Sequence, residues 1–253
     1  MFSWDPSVYS EFETERTRPA IDLLSRISHL RPRSIIDVGC GPGNSTELLA
    51  HAFPDAEIIG IDASPEMVAS AAERLPGIEF EVMDARDIPD GFDLVFSSSC
   101  IQWIPDHDTL IPRLMDSLES GGTLAVQLPM NQDEPLSVIA EGVAAEPRWH
   151  YAAERPIRYD LPTPETYYDI LSGCSDHFDI WMITYYHRMG SPEQMVEWIR
   201  GTRLRPYLDL LSADECRAME SEIAARVAKA YHPATDGSMI MCYERFFFTA
   251  QKR

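Results

Sequence analysis

Short continuous apolar runs alternate with helical apolar stripes over the first half of the chain. The runs are rich in Ile, Val, Leu and Phe, which is typical of strands covered on both faces. Strands are predicted at residues 35–38, 58–62, 78–83, 92–96 and 123–128; the run at 58–61 is unbroken, whereas the other segments include polar residues. Between them apolar residues recur at helical spacing, and Ser64-Pro65 provides a helix cap followed by a proline in the first turn. This alternation predicts right-handed crossovers and a parallel, doubly wound α/β sheet.

Different patterns flank this alternation. Residues 5–27 are expected to form a helix with a stripe that includes Phe12, Leu23 and Ile27. The alternation of strand and helix patterns stops at residues 129–173, which are rich in Pro, Arg and aromatic residues. We interpret this stretch as a helical insertion or cap. Strand character returns at 178–186, a helix begins after Ser191, and residues 239–250 read as a last strand that closes the sheet.

Composition narrows the class of partner. The 253 residues include 41 acidic and 21 basic side chains, for a formal net charge of −20. A chain this acidic repels phosphate backbones, so we expect no nucleic-acid partner. The five cysteines are scattered without a Cys-x-x-Cys pair, which favours free thiols in the cytoplasm and no metal. We expect no signal peptide and no membrane partner, because the N-terminus lacks a basic segment followed by an apolar one and no apolar run of about eighteen residues occurs. We also expect a monomer.

The most informative motif is the run Ile-Ile-Asp-Val-Gly-Cys-Gly-Pro-Gly-Asn at residues 35–44. A strand that turns this sharply into a helix needs residues without a Cβ, both to turn and to let a ligand approach the backbone. The G-x-G-x-G spacing of Gly39, Gly41 and Gly43 differs from the dinucleotide fingerprint G-x-G-x-x-G. Asp37 repels a pyrophosphate and suits an ammonium group. A dinucleotide site and a turn that binds nothing remain alternatives.

This loop resembles the first motif of class I S-adenosylmethionine-dependent methyltransferases. The resemblance implies a Rossmann-like, mostly parallel seven-stranded sheet with cofactor contacts at the carboxyl ends of the strands. Asp62 would accept hydrogen bonds from the ribose hydroxyls, and Asp84 with Ala85 would contact the adenine. The full predicted set of cofactor-binding residues is Asp37, Gly39, Gly41, Gly43, Asn44, Asp62, Ala63, Asp84, Ala85, Ser97 and Ser98.

Other catalytic motifs are missing. The fourth strand is followed by Ser-Cys-Ile-Gln-Trp rather than the Asn/Asp-Pro-Pro-aromatic quartet associated with methylation of amino groups on bases. The chain also lacks an arrangement of Ser, His and Asp residues that is typical of hydrolases. His107 could act as a general base or be a surface histidine, and both readings stay open.

Beyond the loop, the chain resembles the trans-aconitate methyltransferases over nearly its whole length. The blocks that carry the likeness lie at residues 4–9, 15–20, 39–46, 102–107, 167–171, 179–181 and 184–187, and those at 102–107 and 184–187 are the most specific. The stretch around 148–158 departs from the family pattern, as does Arg203, where a glycine is expected.

The resemblance implies methyl transfer from S-adenosylmethionine to one carboxylate of trans-aconitate or a related polycarboxylic acid, leaving S-adenosylhomocysteine. A carboxylate is already ionised at neutral pH, so no strong base is needed. Local arginines would hold the remaining carboxylates. Candidate arginines are Arg16, Arg18, Arg148, Arg155, Arg203 and Arg205, and candidate pocket walls are Trp4, Tyr9, Gln102, Trp103, Tyr185, Tyr186 and His187. No residue is assigned a chemical step; Trp103 and His187 are candidates for orienting the substrate.

We predict a single domain over residues 1–253. It comprises an N-terminal helical segment (1–30), a cofactor-binding half (31–128), the insertion or cap (129–175) and a substrate-side half (176–253). Two other functions remain open: a methyltransferase for another small molecule, and a non-catalytic protein that binds the cofactor.

Overall fold

A computed structural model describes residues 13–149, 151 and 161–253. Its strands form one seven-stranded sheet in the order β3-β2-β1-β4-β5-β7-β6. Their bounds are β1 Ser34–Val38, β2 Glu57–Asp62, β3 Glu79–Val82, β4 Phe92–Ser98, β5 Leu118–Pro129, β6 His177–Met189 and β7 Met239–Gln251. Strands β1 to β5 pair in parallel, whereas β7 pairs antiparallel with both β5 and β6. The predicted α/β class and mostly parallel sheet are confirmed.

Helices connect and cover these strands. In the described part of the chain they are α1 Glu13–Ile27, α2 Asn44–Ala52, α3 Pro65–Arg74, α4 His107–Asp116, α5 Pro135–Ala144, α6 Pro164–Cys174, α7 Pro192–Arg200, α8 Arg205–Leu208 and α9 Ala213–Ala230, with a 3-10 turn at Ile101–Trp103. The predicted cap at Ser64 is present, because its side chain accepts a hydrogen bond from the Met67 amide. The start expected for the first helix, at residue 5, lies outside the described residues. Among the described helices, none has both the length and the apolar character needed to cross a membrane.

The fifth strand begins earlier than the sequence pattern indicated. The sequence pattern predicts that this strand starts at residue 123, directly after Gly121-Gly122. Instead Leu118 already pairs with Phe92, and pairing then resumes between Leu94 and Thr123. The extra residues form an irregularity in which Gly121 has a φ of +80°. A glycine-containing bulge inside a strand looks like a turn in sequence, which explains the error.

Three groups of buried side chains fill the molecule. One lies between the sheet and α4 and α6, and includes Leu114 and Tyr167. The second lies under α1 and α2 on the opposite face, where Leu23, Leu49 and Phe247 meet. The third is formed by α5, α7, α8 and α9 over one end of β6 and β7. The described part of the predicted insertion therefore contributes α5 to this third group, whereas α6 covers the sheet. The boundaries proposed for the halves stay a prediction.

Candidate functional site

The carboxyl ends of four adjacent strands bring the predicted cofactor residues to one edge of the sheet. Asp37 lies in β1, Asp62 ends β2, Asp84 follows β3 and Ser97 lies near the end of β4. The strand order reverses around β1 and β4, which is the switch point where ligands of open α/β sheets bind. The fold therefore assembles these separate sequence positions into one candidate site.

Asp37 is the most unusual group at this edge. Its side chain is completely buried. Oδ2 accepts hydrogen bonds from the Ser45 and Thr46 hydroxyls, each at 2.7 Å. Within the described part of the chain Oδ1 is buried without a hydrogen-bond partner, and burial raises the pKa of the carboxyl group to about 6. A buried acceptor left unsatisfied is costly, so this oxygen marks a place for a donor supplied by a ligand.

The three glycines of the loop meet different requirements. Gly39 has a φ of +75°, and a Cβ there would stand 2.3 Å from both Cβ and Sγ of Cys100. Gly41 has a φ of +55°, and a Cβ there would meet nothing within 4 Å. Gly43 caps α2 in the left-handed conformation, close to Ala71. Close packing against Cys100 thus requires a glycine at position 39, whereas the glycine at position 41 leaves open space beside the backbone.

Asp62 is held rigidly beside this loop. Its Oδ2 accepts from the Gly41 amide at 3.0 Å, and its Oδ1 accepts from the Ser64 amide at 2.9 Å. Burial raises the pKa of Asp62, although the backbone donors act in the opposite direction. Each carboxylate oxygen has a further lone pair, so the group can still accept hydrogen bonds from a ligand. Ala63, the next residue, is exposed.

Other predicted cofactor residues already have partners. Asp84 forms two side-chain hydrogen bonds with Arg86, at 2.8 and 2.6 Å, and this pairing lowers the pKa of Asp84. The Ser97 hydroxyl donates to the Val38 carbonyl and joins β4 to β1. Ser98 accepts from Gln127, Asn44 accepts from Arg74, and Ala85 is buried. Their roles toward a ligand stay predictions.

A wall of aromatic side chains lies on the face of β6 and β7 that α1 and α7 cover. The centroid of the His187 ring lies 4.6 Å from that of the Trp198 ring and 6.3 Å from that of the Tyr185 ring. Arg16 of α1 donates to the Trp198 carbonyl at 3.0 Å and lies over its ring. Tyr186 points to the other face and is 68% exposed, because neighbouring strand residues alternate between faces. The structure therefore brings Tyr185 and His187 together and leaves Tyr186 apart.

The arginines predicted to hold carboxylates occupy several places. Arg203 is partly buried and donates to Glu141 and Asn131, Arg205 pairs with Asp209, and Arg148 pairs with Glu146. Arg18 is exposed on α1. Trp4, Tyr9 and Arg155 lie outside the described residues, so their positions stay predictions.

Sequence reasoning missed one arginine of this region. Arg245 of β7 is only 6% exposed, and its Nη1 donates to Ser99 Oγ at 2.7 Å and to Gln127 Oε1 at 3.4 Å. Its guanidinium therefore lies at the carboxyl ends of β4 and β5, next to the edge where the predicted cofactor residues meet. The sequence signal was a single basic residue directly before three phenylalanines of a mostly apolar strand.

The 3-10 turn after β4 contains Gln102 and Trp103, and Gln102 is linked to the serine that Arg245 contacts. The Gln102 amide donates to the Ser99 carbonyl at 2.7 Å, and its Oε1 is buried and has no hydrogen-bond partner among the residues that the structure describes.

His107 anchors the far end of the turn. Its Nε2 donates to the carbonyls of Ile101 and Ile104, so its Nδ1 accepts from the Tyr167 hydroxyl. His107 is therefore neither a surface histidine nor a free base; it is a buried structural group.

Comparison with known proteins identifies clear relatives. Residues 35–122 match the family model described as a methyltransferase domain. The chain is 43% identical to the trans-aconitate 2-methyltransferase of Variovorax paradoxus, with 100% of both chains covered. It is 45% identical to the enzyme of the same name from Afipia carboxidovorans, with 98% of both covered. The geranyl diphosphate C-methyltransferase of Streptomyces coelicolor, solved with S-adenosyl-L-homocysteine, has a similar fold: its TM-score is 0.57 at 14% identity, covering 97% of this chain and 79% of that one.

Two glycine substitutions should separate packing from conformation in the loop. We expect Gly39→Ala to lower the free energy of unfolding by about 2–4 kcal/mol, because backbone strain adds to the clash with Cys100. Gly41→Ala should cost about 1–2 kcal/mol, since only strain applies there. Denaturant titration measures both free energies of unfolding. Equal losses of stability in the two variants would contradict a packing requirement that is specific to Gly39.

The His107 anchor predicts a purely structural effect. Tyr167→Phe removes one buried hydroxyl and leaves the His107 Nδ1 acceptor unsatisfied, so stability should fall by about 1–3 kcal/mol. Replacing the exposed Tyr168 by Phe is the matched control and should change stability by less than about 0.5 kcal/mol. A Tyr167→Phe protein as stable as the control would show that the hydroxyl does not hold the turn.

Proposed function

The chain belongs to the trans-aconitate 2-methyltransferase family, and from this membership and the site geometry we propose that it methylates a carboxylate of trans-aconitate or of a related small polycarboxylic acid. The protein is an S-adenosylmethionine-dependent methyltransferase. The observation that carries the proposal is the buried, unpartnered Oδ1 of Asp37 beside the open face of Gly41, at the switch point of the sheet.

The residues at this edge fit the cofactor. Asp37 Oδ1 would accept a hydrogen bond from the ammonium of the methionine part, and the space beside Gly41 would let that part lie against the backbone. Asp62, fixed by the Gly41 and Ser64 amides, would accept from the ribose hydroxyls. Asp84 and Ala85 would border the adenine. When bound, S-adenosylmethionine supplies a methyl group on a positively charged sulfur.

The chain itself has to bind and orient the acceptor and to exclude water. The acceptor carboxylate is ionised at neutral pH, so methyl transfer to it requires no general base. This agrees with a site where His107 is engaged in structural hydrogen bonds and where burial raises the pKa of the Cys100 thiol, which keeps it protonated. Alignment of the reacting atoms can contribute roughly 7–11 kcal/mol to lowering the barrier.

The substrate side would lie next to the cofactor edge. Gln102 and Trp103 follow β4, and the wall of Tyr185 and His187 lies beyond them. His187 is neutral at physiological pH, because burial and the nearby arginines lower its pKa to about 4. We therefore assign it and Trp103 an orienting role, in which packing fixes the acceptor. Arg16 and Arg18 of α1 would add positive charge to this region of an acidic chain.

The charge and the cysteine content of the chain bear on where the protein works and with which partners. We propose that the protein works as a monomer in the cytoplasm on a small polycarboxylate, with neither nucleic acid nor a membrane as partner. The net charge of −20 and the scattered cysteines support this assignment.

A direct assay tests the proposed reaction. Purified protein with methyl-labelled S-adenosylmethionine and trans-aconitate should give a base-labile labelled ester. A panel of acids, phenols and amines tests selectivity, and we expect label only on polycarboxylates. Label on an amine or phenol, or on no acceptor, would contradict the proposed substrate class.

Asp37→Asn tests the cofactor assignment. Affinity for S-adenosylhomocysteine, measured by calorimetry, should fall at least about thirtyfold, because the variant loses a buried charge that faces the ammonium. The exposed Asp55→Asn is the matched control and should bind as the wild type does. Unchanged affinity in Asp37→Asn would place the ammonium elsewhere.

The same substitution should stabilise the ligand-free protein at neutral pH. The folded-state pKa of Asp37 is about 6, above its usual 3.8, so the folded protein binds more protons than the unfolded chain between about pH 4 and 6. Stability therefore falls as pH rises through this window, by up to about 3 kcal/mol. Asparagine carries no such cost, so Asp37→Asn should gain stability relative to wild type from pH 4 to 7.5. A stability difference between the variant and wild type that stays constant from pH 4 to 7.5 would contradict the burial of a charged Asp37.

A further inference from the structure

A network of buried hydrogen bonds surrounds Ser99, the residue that directly follows β4. Gln127 of β5 is completely buried, and its side-chain nitrogen donates to the hydroxyls of Ser98 and Ser99, each at 2.7 Å. Arg245 donates to the Ser99 hydroxyl at 2.7 Å and to the side-chain oxygen of Gln127 at 3.4 Å. Ser99 itself is only half-buried, so a ligand can reach it from one side.

The arginine determines which way the Gln127 amide faces. A guanidinium can only donate hydrogen bonds, so the amide atom that contacts it has to be the oxygen. The amide nitrogen therefore faces the two serines and donates to both of their hydroxyls. This direction of donation is the same whether or not a carboxylate also contacts Arg245.

The hydroxyl of Ser99 retains a proton that it can donate. A serine hydroxyl has two lone pairs and one proton. Gln127 and Arg245 both donate to Ser99 Oγ, so both lone pairs are used. The proton has to point in the remaining direction, and within the part of the chain that the structure describes no group accepts it. Ser98 differs, because Gln127 uses only one of its two lone pairs.

The backbone at Ser99 adopts an unfavourable conformation that places this hydroxyl. Adjacent residues of a strand point to opposite faces of the sheet, yet the hydroxyls of Ser98 and Ser99 contact the same nitrogen. The chain turns at Ser99, where φ is +59°, and this turn brings the two hydroxyls together. A residue other than glycine keeps such a conformation only where its surroundings enforce it, and these residues are concentrated at functional sites.

Ser99 lies between the groups proposed to hold the cofactor and those proposed to hold the acceptor. Cys100, the next residue, packs so closely on the glycine loop that a Cβ at Gly39 would stand 2.3 Å from its Sγ. On the other side, the Ser99 carbonyl accepts from Gln102 of the 3-10 turn. A group that receives the Ser99 proton would therefore lie where the methyl donor and the acceptor meet.

We propose that the Ser99 hydroxyl donates a hydrogen bond to the carboxylate that is methylated, on the oxygen that does not react, and that Gln127 and Arg245 position its proton. This inference rests on the proposed function and assigns the contact that orients the reacting group. The other carboxylate oxygen forms the bond to the methyl carbon, while the carbon–sulfur bond breaks and its electron pair stays on sulfur. Ser99 keeps its proton throughout, so the step requires no base.

Ser99→Gly tests this contact, because glycine accepts the positive φ and the substitution removes the hydroxyl. With trans-aconitate, kcat/KM should fall about 10- to 100-fold, as expected for the loss of a hydrogen bond to a charged group. The loss should lie mainly in KM, since the carboxylate loses charge as the ester forms and is held no more tightly in the transition state. Ser117→Ala, which removes a buried hydroxyl that donates to the Leu114 carbonyl just before β5, is the control and should keep wild-type kinetics.

The product of the reaction separates a substrate contact from a structural effect. The monomethyl ester of trans-aconitate, prepared with the wild-type enzyme, has a neutral oxygen at the same position, and hydrogen bonds to neutral groups are about half as strong. As an inhibitor of Ser99→Gly it should therefore bind only about 3- to 10-fold more weakly than to wild type. Affinity for S-adenosylhomocysteine, measured by calorimetry, should be unchanged. An equal loss for acid and ester, or weaker binding of S-adenosylhomocysteine, would overturn the proposal.

Gln127→Glu tests the positioning of the proton. The introduced carboxylate has the shape of the amide but can only accept hydrogen bonds, so the Ser99 hydroxyl would donate to it instead of to the acceptor. KM for trans-aconitate should rise at least as much as in Ser99→Gly, although the serine is present, and affinity for S-adenosylhomocysteine should stay within about threefold. A wild-type KM in Gln127→Glu would refute the positioning by Gln127.

Two further measurements keep the outcome unambiguous. If Ser99→Gly fails to fold, Ser99→Cys, whose thiol has a similar shape but is a weak donor, takes its place in the same assays. Absence of methyl transfer from wild type to any polycarboxylate would refute the proposed function. Normal turnover by wild type together with an unchanged KM in the Ser99 variant would refute only the role of Ser99.

Discussion

The site depends on one electrostatic constraint, which is the burial of the Asp37 carboxylate at the end of the central strand. Ser45 and Thr46 satisfy one of its oxygens from the first turn of α2, and the other oxygen has no partner. The loop between β1 and α2 can bring Ser45 and Thr46 back to Asp37 only because Gly39 and Gly43 adopt positive φ values. The free protein thus retains an unfavourable interaction that a cationic ligand relieves, and functional sites commonly trade stability for binding in this way.

Charged side chains are distributed unevenly along this edge of the sheet. Aspartates lie in, end or follow β1, β2 and β3, where they suit an ammonium and ribose hydroxyls. Beyond β4, the buried side chain of Arg245 reaches across β5 from β7. The antiparallel β7 is what brings an arginine near the C-terminus of the chain to the cofactor edge.

Much of this arrangement could be predicted from the sequence. Short apolar runs and the glycine loop predicted the parallel strands and the edge of the sheet at which the proposed cofactor residues meet, because burial and backbone sterics act locally. Arg245 could not be found in this way, since its partners Ser99 and Gln127 are more than one hundred residues away. The Asp84–Arg86 pair and the structural hydrogen bonds of His107 likewise depend on side-chain placement. Tyr186 was grouped with its neighbours by sequence adjacency, although strand alternation places it on the other face.

Calorimetry in buffers of different ionisation enthalpy tests the central claim most directly, because it counts the protons released when S-adenosylhomocysteine binds. With a pKa of about 6 in the free protein, Asp37 is mostly protonated at pH 5.5 and must ionise to hold the ammonium. The account predicts release of about 0.8 proton at pH 5.5 and almost none at pH 7.5. Replacing Asp37 by asparagine should abolish the release at pH 5.5. Binding without proton release at pH 5.5, or an equal release by the asparagine variant, would contradict it.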